Sequence, residues 1–324
     1  MAPLYLSISA LVAGMLGLIW GADRFVAGSA SIARSIGISS LVVGLTVVSI
    51  GTSAPEIIVS VNAALKGSGE LAVGNALGSN IANIGLVLGI TLLIAPIPIL
   101  RGLLKQEGLI LLLVTGFSGI CLYNNYLGRA ESVLLMLLIV PLLLFAAKYK
   151  KTLAEGSETQ ITGSLTTRGA FFSFLIGLVA LLVSAEFTVW GAKSIALSMG
   201  ISELVIGLTI IAIGTSLPEL AASTISALRG HHDIAVGNII GSNLFNLLLV
   251  MGAAGAISPV TLDSHVFSRD FMTMAALTLL MLIFMLFALR NNADHGKLPK
   301  KVGLVLLGVY CLYYVLLWSS TTAS

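Results

Sequence analysis

The sequence predicts an all-α membrane protein with ten transmembrane helices, arranged as two five-helix repeats of inverted topology. Three observations lead to this prediction. Of the 324 residues, 57% are hydrophobic and only 10% are charged, whereas soluble domains carry about 25% charged residues. Ten apolar segments are long enough to cross a bilayer. A pair of polar motifs also occurs twice, with a constant spacing of 163 residues.

The apolar segments are close to the roughly 20 residues that a helix needs to cross a bilayer. They lie near residues 4–33, 38–65, 71–95, 104–122, 130–147, 169–197, 203–228, 234–257, 270–290 and 302–318. The one long polar stretch between them, 148–168, is rich in Ser, Thr, Gly and charge. We therefore expect a first five-helix repeat at 1–147, a linker at 148–168 and a second five-helix repeat at 169–324.

The distribution of basic residues predicts the orientation. Thirteen of the 17 lysines and arginines fall in connections on the side of the 148–168 linker. Basic residues are enriched on the cytoplasmic side, so we expect a cytoplasmic linker, external termini and a place in the cytoplasmic (inner) membrane. Because five is odd, the second repeat enters the membrane in the opposite direction to the first. Inverted repeats of this kind are typical of secondary transporters.

The first motif, residues 44–56, recurs at 207–219 with nine of 13 positions identical. Each copy has a proline at its twelfth position. Proline lacks an N–H and clashes with the carbonyl four residues earlier. Irregular backbone at membrane depth persists only where it is buried in protein or lines a cavity. We therefore expect the freed carbonyls to act as oxygen ligands, and these belong to Gly51 and Gly214.

The second motif, residues 72–83, recurs at 235–246. Its Asn and Ser side chains recur every four residues, and the first motif places Thr and Glu four apart, so each set shares one helix face. These side chains are Thr52, Glu56, Asn75, Ser79 and Asn83 in one copy and Thr215, Glu219, Asn238, Ser242 and Asn246 in the other. The motifs contain neither cysteine nor histidine. Oxygen-only ligand sets suit hard cations such as Ca²⁺, Na⁺ or Mg²⁺.

The two carboxylates of the duplicated motif suggest how ions could be exchanged. We expect Glu56 and Glu219 to face one another, where two buried carboxylates without a cation would repel and take up protons. One Ca²⁺ or two Na⁺ would neutralise them, so competition between the two ions is a natural route to exchange. Asn80 and Asn243 are interpreted instead as hydrogen-bonding between helices.

The duplicated motifs resemble the α-repeats of the cation/calcium exchanger superfamily, most closely those of its prokaryotic sodium/calcium exchanger type. The resemblance implies a sodium/calcium exchanger-like fold and an ion pocket formed by the second, third, seventh and eighth helices. It implies that Glu56 and Glu219 bind both Ca²⁺ and Na⁺. It also implies that the first and sixth helices slide to alternate access. The remaining implied ligands are Thr52 and Thr215, the Na⁺-lining Ser53, Ser216, Ser79 and Ser242, and the central Asn83 and Asn246.

One departure from the family pattern concerns charge. Some members have Asp at one of the two positions that are Asn83 and Asn246 in this chain. One titratable group is therefore absent, and this bears on the counter-ion.

The sequence thus predicts an antiporter that exchanges Ca²⁺ for Na⁺ by alternating access, and not an enzyme. The alternatives are Ca²⁺/H⁺ exchange, K⁺-dependent Na⁺/Ca²⁺ exchange, and, from a different class, a cation channel. We expect the bilayer and the transported ions as partners, with no cofactor and no obligate protein partner. The net charge is only +3 and the basic residues form no stripe along the sequence, so nucleic acid is not an expected partner.

Overall fold

The computed structural model describes residues 3–148, 166–201, 206, 209–210, 212–290 and 295–322. Most of the predicted linker, 149–165, lies outside them. The helices are α1 (Leu4–Ile36), α2 (Ser40–Thr52), α3 (Ala54–Leu65), α4 (Gly69–Ile94), α5 (Arg101–Leu122), α6 (Arg129–Leu137), α7 (Ile139–Lys148), α8 (Thr167–Ser198), α9 (Ala212–Thr215), α10 (Leu217–Leu228), α11 (His232–Ile257), α12 (Val266–Ala288) and α13 (Lys300–Thr322). The strands are β1 (Ile97–Leu100), β2 (Tyr126–Leu127), β3 (Val260–Thr261) and β4 (His295–Leu298).

Seven helices in the described part of the chain are long and apolar enough to cross a membrane, namely α1, α4, α5, α8, α11, α12 and α13. Helices α2 and α3 form an eighth candidate, bent by 47° at their junction. The two remaining predicted spans, near 130–147 and 203–228, stay predictions. The segment near 130–147 is divided between α6 and α7, and part of the segment near 203–228 lies outside the described residues.

The chain forms two compact units that do not coincide with the two sequence repeats. The first unit comprises Met1–Pro55 and Leu143–Asn238, and the second comprises Glu56–Leu142 and Ile239–Ser324. Each unit therefore contains segments of both repeats. The division of the sequence into repeats at 1–147 and 169–324 stays a prediction.

In the first unit, the equivalent helices α1 and α8 pack against each other along their length. Their contacts run antiparallel, since Gly28 lies beside Phe174 whereas Ser7 lies beside Gly191. Small residues recur every seven positions on both helices and face one another. They are Ser7, Gly14, Gly21 and Gly28 on α1, and Ala170, Gly177, Ser184 and Gly191 on α8. Antiparallel packing of equivalent helices is what an inverted repeat requires.

The small residues bring the two backbones into direct contact. A Cβ added at Gly21 would lie 2.7 Å from the amide nitrogen of Leu181, and one added at Gly191 would lie 2.6 Å from the carbonyl oxygen of Ser7. Transmembrane helices associate through such close packing because lipid offers no hydrophobic driving force between them. The hydroxyl groups of Ser7 and Ser194 add a hydrogen bond of 2.9 Å.

In the second unit, the strands of each repeat pair with strands of the other repeat. Strand β1, which follows α4, pairs antiparallel with β4, which lies between α12 and α13. Strand β3, which follows α11, pairs in the same way with β2, which lies between α5 and α6. The segment after the third helix of each repeat thus pairs with the segment before the last helix of the other. Both pairings are additions to the predicted all-helical fold.

Helix packing in the second unit shows the same reciprocity. A Cβ added at Gly89 on α4 would lie 2.8 Å from Cγ of Leu307 on α13. A Cβ added at Gly252 on α11 would lie 2.8 Å from Cγ of Met136 on α6. Gly89 and Gly252 are equivalent under the 163-residue offset. The duplication is therefore expressed as matched packing of the third helix of each repeat.

Candidate functional site

The helix breaks predicted from the prolines occur at two equivalent serines. Ser53 ends α2 with φ −82° and ψ 9°, and Ser216 precedes α10 with φ −89° and ψ 3°. Both lie in the sparsely occupied bridge region, where many active-site residues are found. Each break is followed within three residues by a glutamate, Glu56 or Glu219, in the first turn of the next helix. The partial positive charge of a helix N-terminus stabilises a carboxylate there.

A first group of candidate ligands lies in the first compact unit and joins the two repeats. The hydroxyl of Ser53 donates a 2.9 Å hydrogen bond to Oε1 of Glu219. Both residues are fully buried. A serine of one repeat therefore holds a carboxylate in the first turn of α10, a helix of the other repeat. Gly51 and Gly214 lie in this unit too, each two residues before its break.

The same group contains a second contact between the repeats. The hydroxyl of Thr52 donates to Oδ1 of Asn238 at 3.1 Å. The amide of Asn238 donates in turn to Oγ of Ser223 at 2.9 Å. Asn238 thus uses both ends of its side chain, which fixes the orientation of its amide and of the hydroxyl that contacts it.

A second group lies in the second compact unit around Glu56. The amide of Asn75 donates to the backbone carbonyl of Glu56 at 3.2 Å and to Oγ of Ser60 at 2.9 Å. The hydroxyl of Ser60 donates to the carbonyl of Ala72 at 3.2 Å. Helices α3 and α4 are therefore fastened together one turn after the glutamate. Glu56 and Ser60 are both fully buried.

The second group also contains two equivalent asparagines at places where the helix geometry changes. Asn83 begins a π-helical turn at Asn83–Leu88 of α4, and Asn246 begins one at Asn246–Val250 of α11. Such wide turns are rare and often occur at functional sites. Both side chains are fully buried, and neither has a hydrogen-bond partner among the described residues. The buried hydroxyl of Ser242, one turn earlier, likewise has none within the described part of the chain.

The predicted contact between helices through Asn80 is confirmed. Its amide donates to the backbone carbonyl of Asn243 at 3.2 Å, which joins α4 to α11. The amide of Asn243 donates within its own helix, to the carbonyl of Ile239 at 2.6 Å. The structure therefore bears out the interhelical interpretation for Asn80, while Asn243 supplies the acceptor through its backbone.

The predicted site residues divide between the two compact units. Those in the first unit are Gly51, Thr52, Ser53, Gly214, Thr215, Ser216 and Glu219, and those in the second are Glu56, Ser79, Asn83, Ser242 and Asn246. Within the first unit the structure brings Ser53 to Glu219. Because Glu56 and Glu219 belong to different units, the expectation that they face one another stays a prediction.

Sequence reasoning missed two residues of these groups, Ser60 and Ser223. Each lies four residues after its glutamate and corresponds to the other under the 163-residue offset. A signal was therefore available, because a residue four positions later lies on the same helix face as the glutamate. The duplicated motif, 44–56 and 207–219, ends at the glutamate and so leaves this serine out.

The chemistry of both groups is uniform. They offer carboxylate, hydroxyl, amide and backbone oxygens, with no sulfur or imidazole among the residues described above. Hard cations such as Ca²⁺ and Na⁺ prefer ligands of this type. A charged group inside a membrane-spanning segment is costly and usually marks an ion pathway. Glu56 follows the break in the bent candidate span formed by α2 and α3, and Glu219 follows the equivalent break at Ser216.

Comparison with known proteins gives a consistent result. The family model for the sodium/calcium exchanger protein matches residues 6–148 and 169–319. The chain is 43% identical over 316 residues to the putative antiporter CaxA of Alkalimonas amylolytica, covering 96% of this chain and 98% of that protein. It is 29% identical over 349 residues to the sodium/calcium exchanger MaX1 of Methanosarcina acetivorans, covering 95% of this chain and 97% of the relative.

A solved structure also matches over nearly the whole chain. It is that of the sodium-calcium exchanger NCX_Mj soaked with Na⁺ and Sr²⁺, with a TM-score of 0.82 and 32% identity. The match covers 96% of this chain and 98% of that one. Together with the apolar helices of the structure, these relatives indicate a multi-pass membrane protein from a family of transporters. The chain belongs to the sodium/calcium exchanger family.

Proposed function

We propose that the protein is a secondary active antiporter that moves Ca²⁺ across the cytoplasmic membrane in exchange for Na⁺. The two groups of buried oxygens supply the ligands, with Glu56 and Glu219 as the charged ones. The central supporting observation is the duplicated helix break at Ser53 and Ser216, each followed by a buried glutamate. Membership in the family and the sodium/calcium exchanger relatives support the choice of ions.

The site residues have distinct roles in this proposal. The carboxylates neutralise a divalent cation or two Na⁺. Thr52, Ser53, Thr215 and Ser216 supply hydroxyl and backbone oxygens at the breaks, together with the carbonyls of Gly51 and Gly214, while Ser79 and Ser242 line the Na⁺ positions. Asn83 and Asn246 add neutral amide oxygens in the middle of the pathway. Buried amides need partners, and a partly hydrated cation provides them.

Alternating access is the remaining part of the proposal. The duplicated helices run in opposite directions in the predicted topology, and transporters with inverted repeats expose a midplane site to each side in turn. We propose that the close-packed α1 and α8 move together as one element, because their backbones are in direct contact. The termini are external and the 148–168 linker is cytoplasmic in this orientation.

The experiment is Ca²⁺ uptake by everted membrane vesicles loaded with Na⁺. We expect uptake that requires the outward Na⁺ gradient. Uptake that follows an imposed pH or K⁺ gradient instead would identify Ca²⁺/H⁺ or K⁺-dependent exchange and contradict the proposal. Currents far above the turnover of a carrier would identify a channel.

Substitution of the glutamates sharpens this test. We expect Glu56→Gln and Glu219→Gln each to lower uptake at least about a hundredfold. Each variant leaves the bound cation without one of its carboxylate partners, and breaking a buried ion pair costs roughly 3 kcal/mol or more. Glu186→Gln makes the same change at an exposed position on α8 and should transport normally. All three variants should insert into the membrane equally, as judged by immunoblotting. Normal uptake by either site variant would remove that glutamate from the site.

A further inference from the structure

The two repeats contain an identical serine–asparagine contact beside each glutamate. Oγ of Ser60 accepts from the amide of Asn75 at 2.9 Å, and Oγ of Ser223 accepts from the amide of Asn238 at 2.9 Å. The serines are equivalent under the 163-residue offset, as are the asparagines. Both serines are fully buried. The first contact lies wholly within the second compact unit, and the second contact lies wholly within the first.

Each contact joins the helix that has a glutamate in its first turn to the next helix, which carries the asparagine. These pairs are α3 with α4 and α10 with α11. In the first repeat, the amide of Asn75 bridges Ser60 and the backbone carbonyl of Glu56. The amide therefore holds both ends of the turn that follows the carboxylate. Rotation of this helix about its axis would break both hydrogen bonds at once.

In the second repeat, the contact extends to a candidate ligand. The amide group of Asn238 is held by Ser223, and its oxygen accepts from the hydroxyl of Thr52. Each end of the Asn238 side chain therefore has a hydrogen-bond partner, which holds the amide in one orientation. Through this contact Asn238 orients the hydroxyl of Thr52, a candidate ligand.

We propose that Ser60 and Ser223 are positioning residues for cation binding, acting through Asn75 and Asn238. This inference rests on the proposed function. Each serine fixes the amide of its asparagine. Asn75 then fixes the backbone at Glu56, and Asn238 fixes the hydroxyl of Thr52. The first asparagine in each copy of the second motif thus supports the ligands. Asn83 and Asn246, in contrast, are proposed to be ligands themselves.

The test uses two serines on the same helix. Ser223 and Ser226 both lie on α10 and are both fully buried. The hydroxyl of Ser226 has no hydrogen-bond partner among the described residues, and its equivalent in the first repeat is Ala63. Ser226→Ala is therefore a matched control for Ser223→Ala, with the same change in side chain at the same depth.

The measurement is the Ca²⁺ concentration that half-maximally stabilises the purified protein against thermal unfolding. We expect Ser223→Ala to raise it about tenfold, the lower end of what is lost when a ligand's supporting contact is removed. Ser226→Ala should leave it within about twofold of the wild-type value. Equal values for the two variants would overturn the proposal. Ser60→Ala tests the other repeat independently and should also raise the value.

A double-mutant cycle separates positioning from simple loss of packing. If Ser223 acts through Asn238, Ser223→Ala should cause no further loss of Ca²⁺ affinity in a protein that already carries Asn238→Ala. Additive losses would overturn the proposal. Because this measurement is of binding, it also distinguishes the two claims. A protein that binds Ca²⁺ but does not exchange it for Na⁺ would contradict the proposed function and leave the test of Ser223 intact.

Discussion

At the scale of single residues, the hydrogen bond between Ser53 and Glu219 links the two repeats directly at a candidate ligand. Its partners are 166 positions apart in the chain, fully buried, and separated by 2.9 Å. A hydrogen bond to a charged group contributes more to stability than one between neutral groups. This contact therefore both holds the carboxylate and joins the two copies of the motif.

We expect Ser53→Ala to destabilise the protein by about 1–3 kcal/mol in buffer free of Ca²⁺ and Na⁺, the usual cost of removing one partner of a buried hydrogen bond. Ser216→Ala is the matched control, since it changes the equivalent serine, whose hydroxyl has no partner among the described residues. Thermal unfolding in detergent measures both. A Ser216 variant as destabilised as the Ser53 variant would show that the hydrogen bond to Glu219 is not the cause.

A second prediction at this scale concerns pH. His231 lies between α10 and α11, where burial lowers its pKa, assisted by the positive charges of Arg34, Arg229 and His232. The unfolded chain takes up this proton near pH 6.5, whereas the folded protein takes it up only at lower pH. Stability is therefore lost as the pH falls below about 6.5.

We expect His231→Gln to reduce this loss. The unfolding temperature of the wild-type protein should fall between about pH 7 and pH 5, and that of the variant should fall less over the same range. Both are measured by thermal unfolding in the same detergent. Identical pH dependence in the two proteins would show that His231 does not contribute.

The helix breaks of the candidate site were predictable from single residues, and the reason is the duplication. The prolines at positions 55 and 218 predicted the helix breaks, which occur at Ser53 and Ser216. The role of Asn75 was not predictable from spacing alone. It shares a helix face with Asn83, yet its amide is taken up by Ser60 and a backbone carbonyl. Spacing identifies a face but not the partner on the neighbouring helix.

At the scale of elements, close packing of α1 and α8 depends on small residues at seven-residue intervals. Where a glycine backbone touches a neighbouring backbone, an added methyl group has no flexible side chain to displace. The π-helical turns of α4 and α11 and the paired strands could not be predicted in the same way. A π-helical turn has no marker residue, and the hydropathy of one segment contains no information about the strand with which it pairs.

We therefore expect Gly21→Ala to destabilise the protein, because the added Cβ would lie 2.7 Å from the backbone nitrogen of Leu181. Gly116→Ala in α5 is the control, since nothing lies within 4 Å of its added Cβ. In a helix, Ala is favoured over Gly by roughly 0.5–1 kcal/mol, so the control should be neutral or slightly stabilised. A Gly21 variant as stable as the control would contradict the packing described for α1 and α8.

At the scale of the whole molecule, the two sequence repeats combine within each compact unit and do not form separate units of their own. The reciprocal pairing of β1 with β4 and of β3 with β2 shows this in one unit, and the packing of α1 on α8 shows it in the other. A duplication expressed in this way agrees with the proposed carrier, because transporters with inverted repeats expose one site to each side in turn. We therefore propose that this arrangement serves Ca²⁺ exchange driven by Na⁺.

The most direct test is uptake of radiolabelled Ca²⁺ by the purified protein in proteoliposomes under imposed ion gradients. We predict uptake that requires Na⁺ inside the vesicles, stops when an ionophore dissipates the Na⁺ gradient, and is absent from the Glu219→Gln variant. Uptake that is indifferent to Na⁺ would contradict Na⁺-driven exchange, and uptake that persists in this variant would contradict the role of Glu219.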